Sequence, residues 1–469
     1  MLDSVRNIFS IPDLRKRVLY TFLLLGVYRI GANIPIPGVD TNAILAFFEQ
    51  AKNTLFGLFN LFSGGAMEKM TIFALGIMPN VSASIILQLL TVVWPYLERL
   101  SKEGELGRRK ITQYTRYGTV LLSIVQGMGI AIFLENSKSP LGQPLVPEPG
   151  FGFRLMTILT LTTGTAFIMW LGEQISERGV GNGISLIIFA GIVVGMPQAA
   201  LELFQDLRSG TRNLLVVLLL LAFMVAVVGA IVFVERGQRR IPVQYAKRVV
   251  GRRLMGGQST HLPLRVNTGG VIPVIFASSI ITLPQLVTSA FREPPGWLQG
   301  FIDQLSFGMP LYNLFYIAGI IFFCYFYTSI IFNPLDVADN MKKYGGFIPG
   351  IRPGKRTADY IDSVLSRLTL AGAIYLCVVA LVPEFLITGF KVQHLPWVGV
   401  PLENFLTNFN LVWIMEGFGF NFYFGGTSLL IVVGVAMDTV NQIESQLIMR
   451  HYDGFFKGSG GFRIRGRRG

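Results

Sequence analysis

Long apolar runs restrict the fold of this chain more than any other feature of its sequence. Residues 213–234 read NLLVVLLLLAFMVAVVGAIVFV and contain no charged side chain. A helix needs about 20 mostly apolar residues to cross the hydrocarbon core of a bilayer. Over the whole chain 51% of residues are hydrophobic and 14% are charged, whereas a soluble domain has about 25% charged residues. The sequence therefore predicts an integral membrane protein built as one helix bundle.

Ten segments are apolar enough to be interpreted as transmembrane helices. The first follows Arg15, Lys16 and Arg17 and superficially resembles a signal peptide, but it lacks a clean small-residue cleavage site, so we expect a retained span. Three others are weaker because Gly, Pro, Ser or Thr interrupt them. The predicted spans are 18–36, 71–94, 117–135, 152–174, 183–204, 213–234, 268–290, 311–332, 367–389 and 427–447.

The distribution of Lys and Arg predicts the orientation of these spans. With the N-terminus inside, 31 of the 40 cationic residues fall in cytoplasmic segments and 7 in the opposite loops, while Arg29 and Arg154 lie within spans. Cytoplasmic loops of membrane proteins carry such an excess of positive charge. We therefore expect both termini in the cytoplasm.

Two of the weak spans resemble each other. Gly76 to Ile86 reads GIMPNVSASII, and Gly270 to Ile281 reads GVIPVIFASSII. They are the second spans of two five-span halves, 1–209 and 210–446, and would cross the membrane in opposite directions. Gly, Pro and Ser are common in membrane helices, so chance similarity is the alternative. We favour an inverted repeat, in which interrupted spans at corresponding positions point to the substrate path.

The fold class that follows is an all-α integral membrane protein of ten helices in two inverted halves, with a basic cytoplasmic tail over 447–469. Arg29 and Arg154 are expected to extend toward an interface. Asp438 is the one serious candidate for an ionisable group inside the membrane, and a structural role near a helix end is the favoured interpretation. Cysteine and histidine spacing indicates no metal, cofactor or catalytic site, so an enzyme is not expected.

Residues 57–69, GLFNLFSGGAMEK, are too short to span and too apolar for an ordinary solvated loop. A re-entrant segment buried in protein and an interfacial helix on the outer leaflet are equally consistent with this pattern.

Two long cytoplasmic loops, 235–266 and 333–367, are strongly basic. The first carries eight cations against the single acid Glu235. Topogenic charge and attraction to anionic lipids explain the sign of this charge. They explain the length of the loops and their alternating apolar residues less well. We favour docking of an acidic partner, such as RNA phosphate or an acidic protein face.

Several motifs together resemble the bacterial SecY family, the channel-forming subunit of the protein-secretion translocon. They occur in that family's order over nearly the whole chain: FSGGA (62–66), FALGIMP (73–79), EGELGRRKITQYTRYG (103–118), GEQISERGVGNGIS (172–185), VERGQRRIPVQYAKR (234–248), QSTHLPLRVN (258–267), VIPVIFASSII (271–281), GFIPGIRPG (346–354) and FGGTSLLIVVGVAMD (424–438).

The resemblance implies a central pore between the two halves, through which unfolded polypeptides cross the bacterial plasma membrane. Its aliphatic ring would consist of Ile77, Val81, Ile188, Ile275 and Ile431. A plug about residues 57–69 would include Leu58, Phe59, Leu61, Phe62, Ser63, Gly64 and Gly65. A lateral gate, formed by spans 71–94 and 268–290, would include Pro79, Ser82, Gln88, Asn267, Pro273 and Ser278.

The same resemblance implies partners. The subunits SecE and SecG would complete the complex, and signal peptides and nascent chains would be its clients. The motor ATPase SecA or the ribosome, including its RNA, would dock on Arg239, Lys247, Arg248, Arg252, Arg253 and Arg352. Two other classes remain open: a secondary transporter, which should show charged residues at the midplane, and a lipid-binding scaffold, which would not need paired gate-like spans.

Overall fold

A computed structural model describes most of the chain. The described residues are 11–51, 60, 63–137, 139–140, 142–210, 214–245, 248–250, 253–255, 259–289, 300, 304–305, 309–389, 407 and 426–458.

The described residues are mainly helical. The longer helices are α1 (Pro12–Gly31), α2 (Thr41–Ala51), α3 (Met78–Val93), α4 (Pro95–Lys102), α5 (Glu105–Asn136), α6 (Phe151–Arg178), α7 (Gly183–Arg208), α8 (Leu214–Arg236), α9 (Ile272–Ser289), α10 (Pro310–Ile331), α11 (Pro334–Lys343), α12 (Lys355–Thr388) and α13 (Gly426–Gly458). Each of the ten predicted spans overlaps one of these helices. By length and composition, six helices of the described residues can cross a membrane, or seven if the bent pair α3 and α4 forms one span.

Two helices differ in their bounds from the predicted spans 18–36 and 71–94. α1 ends at Gly31, and the chain then extends so that Pro35 forms an isolated antiparallel bridge with Thr71. α3 begins at Met78 because residues 72–77 form turns. Apolar composition alone could not separate these turns from helix, since both are buried in protein.

A sharp bend separates α3 from α4. The two helices meet at 98° around Trp94, which adopts an extended backbone before Pro95, as proline disfavours the helical conformation in the residue preceding it. α4 buries Leu97 and Leu100 against the protein. Its other side chains are largely exposed at the end of the bundle.

The two basic loops are not irregular, which corrects the all-α prediction. Strand β1 (Gln238–Tyr245) pairs antiparallel with β4 (Ser259–Arg265), and β2 (Arg248–Val250) pairs with β3 (Arg253–Met255) toward the tip of the same hairpin. The second loop contributes β5 (Gly346–Phe347), which pairs with the other edge of β1. Both loops are therefore joined in one small sheet.

The interior contains three apolar clusters. The largest links the helices of both halves, from Leu24 in α1 to Val435 in α13. A second lies beside α2, the C-terminal end of α5 and the N-terminal part of α6. The third packs under the sheet, where Ile241 and Val243 point inward from alternate positions of β1. This alternation is the period-two pattern of a strand with one buried face.

Candidate functional site

The backbone enters α3 and α9 in the same way. Gly76 has φ +57° and Gly270 has φ +59°, a left-handed conformation that favours glycine. Pro79 and Pro273 each follow three residues later, inside the first turn of the helix, where a missing N–H costs no hydrogen bond. The two sequences that resemble each other thus also share a backbone conformation.

The five residues of the expected aliphatic ring come together in one buried cluster. Ile77 precedes α3 and Val81 lies within it, while Ile188, Ile275 and Ile431 come from α7, α9 and α13. None of the five is more than 6% exposed. All five belong to the largest buried apolar cluster, which contains side chains from both halves of the chain.

α3 and α9 are in direct contact. The Oγ atom of Ser279 lies 4.0 Å from Sδ of Met78, and both residues are buried. Of the expected gate residues on these helices, Pro79 and Ser82 on α3 and Pro273 and Ser278 on α9 are buried. The seam between the two repeated helices is therefore dry at these positions.

The polar residues of the expected gate have different partners. Gln88 donates to Oγ of Ser84 on its own helix at 3.3 Å. Asn267 precedes α9 and donates to Oε1 of Glu235 at 2.6 Å, so it ties α9 to α8 instead of facing α3. Between α3 and α5, a buried hydrogen bond of 3.0 Å runs from the Thr119 hydroxyl to Oδ1 of Asn80.

Most described residues of 57–69, called the outer segment below, are buried or half-buried, and Lys69 is exposed. Asn60, Ser63, Ala66, Met67 and Met70 are each at most 6% exposed. This burial favours the re-entrant interpretation over a helix lying on the outer leaflet. Leu58, Phe59, Leu61 and Phe62, also expected in the plug, lie outside the described residues.

Two residues at the end of α1 hold this segment. The Tyr28 hydroxyl donates to the carbonyl oxygen of Ser63 at 2.9 Å. The guanidinium of Arg29 donates to the carbonyl oxygens of Gly64, at 2.9 Å, and of Ala190 in α7, at 3.2 Å. Arg29 is half-buried in the last turn of α1, and carbonyl dipoles of the protein satisfy its charge, while its expected extension toward an interface stays a prediction.

Two further charged residues of the spans, one near the start of α6 and one within α13, form ion pairs. Arg154 pairs with Glu135 at 2.6 Å, joining α6 to α5. Asp438 lies 3.6 Å from Arg265 at the base of the basic hairpin, which agrees with the structural interpretation of this carboxylate. Within the described residues, no three His, Cys, Asp or Glu side chains lie together as metal ligands.

The expected docking residues lie on the sheet and beside it. Arg239 in β1 and Arg352, before α12, are exposed. Arg248 and Arg253 occupy β2 and β3, in the outer part of the hairpin. Lys247 and Arg252 lie outside the described residues. Because β5 joins β1, the two basic loops present their charges from a common support.

Comparison with known proteins identifies the family. The SecY family profile matches residues 71–440. The chain is 51% identical over 450 residues to the protein translocase subunit SecY of Escherichia coli strain K12, covering 96% of this chain and 95% of that protein.

Solved structures agree at the level of the fold. A SecY channel whose plug domain is described as stabilising the closed state matches with a TM-score of 0.62 and 18% identity, covering 92% of each chain. Sec61 from the canine ribosome–channel complex of the endoplasmic reticulum matches with a TM-score of 0.57 and 17% identity, covering 92% of this chain and 93% of that one. This chain therefore belongs to the SecY family of multi-pass membrane proteins, and it is a protein-translocating channel.

Proposed function

We propose that this channel passes unfolded secretory polypeptides through an aliphatic constriction across the bacterial plasma membrane, and releases membrane helices sideways between α3 and α9. The observation that supports the proposal is the common burial of Ile77, Val81, Ile188, Ile275 and Ile431 in the apolar cluster that both halves share.

The chemistry of this cluster suits a seal that must also conduct. An apolar constriction dewets, which excludes ions while the channel is idle. Saturated side chains offer no hydrogen bonds or charges, so they bind no particular residue of a passing chain strongly. The buried segment around Ser63 would be the plug that closes the outer side of this constriction.

The α3–α9 seam is the proposed lateral exit. Its described contacts include the long contact between the Ser279 hydroxyl and the Met78 sulfur, which is weaker than an ordinary hydrogen bond. The Asn80–Thr119 hydrogen bond favours movement of α3 together with α5. Matching conformations at Gly76 and Gly270 support two inverted five-helix halves, and the cationic loops support cytoplasmic termini.

The drive would come from other proteins, since the chain itself is proposed to hydrolyse nothing. The exposed Arg239 and Arg352, on a support shared by both basic loops, favour docking of SecA or of ribosomal RNA. Sec61, which has the same fold, is in a ribosome-bound complex in its solved structure. SecE and SecG are the proposed companion subunits, and anionic lipids would contact the remaining cations.

The ring is tested by ion conductance in liposomes. Ile188→Gly should raise ion conductance through the idle channel, as should Ile77→Gly and Ile275→Gly, because each removes part of the apolar seal. The matched control is Ile187→Gly: Ile187 is equally buried on the same helix but its Cδ1 packs toward Gly172 of α6. Equal conductance of the Ile187 and Ile188 variants would show general loosening of packing and would refute the ring.

A further inference from the structure

The described part of the outer segment is an internally bonded unit. Nδ2 of Asn60 donates to Glu68 at 2.8 Å, while the backbone N–H of Glu68 donates to Oδ1 of Asn60 at 2.9 Å. The N–H of Gly65 donates to the carbonyl of Asn60, and that of Thr71 to the carbonyl of Ala66. These bonds close the segment on itself, so it can move as one body.

One end of this unit is attached through the backbone. The N–H of Ile36 donates to the carbonyl of Met70 at 2.9 Å, and the N–H of Ile72 donates to the carbonyl of Ile34 at 3.0 Å. This short pairing fixes residues 70–72 to the chain that leaves α1, and it is independent of side-chain chemistry.

The other end is held by side chains from α1. Tyr28 and Arg29 donate to the carbonyls of Ser63 and Gly64, and Arg29 continues to Ala190 of α7. Gly64 has φ +66°, and a Cβ there would lie 2.6 Å from Cα of Gly191. The two glycines thus allow the segment to approach α7 closely enough for one guanidinium to reach both.

A planar fork of donors can bond two carbonyls in separate segments at once in a fixed geometry, which is why arginine suits this position. The Tyr28 ring also stacks on Phe73 at 5.7 Å, so the residue pair contacts both ends of the unit. Charge-assisted hydrogen bonds to carbonyl oxygens are strong in a partly buried site. Because they come from a side chain, they can break without disrupting the backbone hydrogen bonds of a helix.

Resting on the proposed function, we infer that Arg29 is a latch: it holds the Ser63 end of the plug against α7 in the closed channel, while residues 70–72 act as the hinge. Arg29 is a positioning residue, since it acts through the segment and touches no substrate. Release of its bond to the Gly64 carbonyl, together with the Tyr28 bond to the Ser63 carbonyl, frees the unit to swing away from α7.

Cysteine labelling tests the latch in the full-length chain. In liposomes, with Cys324 and Cys377 replaced by Ala, Ser63→Cys reports access of a membrane-impermeant maleimide added to both faces. Arg29→Met should speed labelling by about tenfold or more, as expected for lost charge-assisted bonds. Arg29→Lys should also speed it, because an ammonium lacks the fork. Arg154→Met, which breaks the ion pair of Arg154 with Glu135 away from this segment, should leave the rate unchanged.

A second reporter separates the latch from general loosening. Ser428→Cys lies fully buried in α13, and its labelling should stay slow in every Arg29 variant. Unchanged labelling of Ser63→Cys in Arg29→Met, wild-type labelling in Arg29→Lys, or a parallel rise at Ser428→Cys would each overturn the latch. Labelling needs no client protein, so its outcome is independent of the conductance test of the ring.

Discussion

At Gly164, the backbone of α6 lies in close contact with residues 72–73, which precede α3. A Cβ built on Gly164 would lie 2.9 Å from the carbonyl carbon of Ile72, closer still to its oxygen, and 3.3 Å from Cδ1 of Phe73. Carbon atoms in ordinary contact lie about 3.5–4.0 Å apart. Gly164→Ala therefore requires the backbone at Ile72 to retreat by roughly 1 Å, and this backbone leads directly to Ile77 of the ring.

The size of the effect follows from overpacking. An extra methyl group in a well-packed interior costs about 1–3 kcal/mol. If this cost falls on the closed arrangement and is relieved when residues 71–77 move, the open population rises by about 5- to 150-fold. Idle ion conductance of Gly164→Ala in liposomes should rise accordingly.

A matched control uses another glycine between helices of the same half. A Cβ at Gly127 of α5 would meet its nearest neighbour, Cα of Ile158, at 3.6 Å, an ordinary contact. Gly127→Ala should therefore conduct like the wild type. The reasoning is refuted if Gly164→Ala stays folded in detergent yet conducts no more than Gly127→Ala, since the strain would then not reach the seal.

Two further predictions concern the exit and the docking surface. Cysteines introduced at Met78 and Ser279 and oxidised to a disulfide between α3 and α9 should block release of membrane helices into lipid and export of signal-bearing clients. Reduction of the disulfide should restore both. Export that continues in the oxidised protein would argue against the gate. Arg352→Glu, alone and with Arg252→Glu and Arg253→Glu, should abolish SecA stimulation and ribosome co-sedimentation while membrane insertion of the channel itself is unchanged. Normal binding and secretion by these variants would indicate that these charges only set the orientation of the protein in the membrane.

The positions of the helices could be predicted because burial in lipid is a local property of composition. Any segment of about 20 apolar residues gains by leaving water, whatever its neighbours are. The repeat that begins at Gly76 and at Gly270 could also be recognised in the sequence. A left-handed backbone conformation favours Gly and the first turn of a helix accepts Pro, so both copies show Gly followed by Pro three residues later. The residues of the candidate ring came from motif resemblance, and their common burial agrees with it.

The details that depend on distant partners were not readable in this way. The alternation of Ile241 and Val243 was present in the sequence, but only pairing of β1 with β4 and with β5, about a hundred residues later, made it a sheet. Arg29 could be recognised as a charge within a span, but not as a bridge to Gly64 and Ala190.

The sequence by itself therefore predicted which segments can enter the membrane and which face the cytoplasm, because those free energies are summed residue by residue. Only the tertiary structure decided which carbonyls Arg29 binds, which glycines permit close approach and which aliphatic side chains meet. Those outcomes depend on distances between segments far apart in the chain, and no local pattern records such distances.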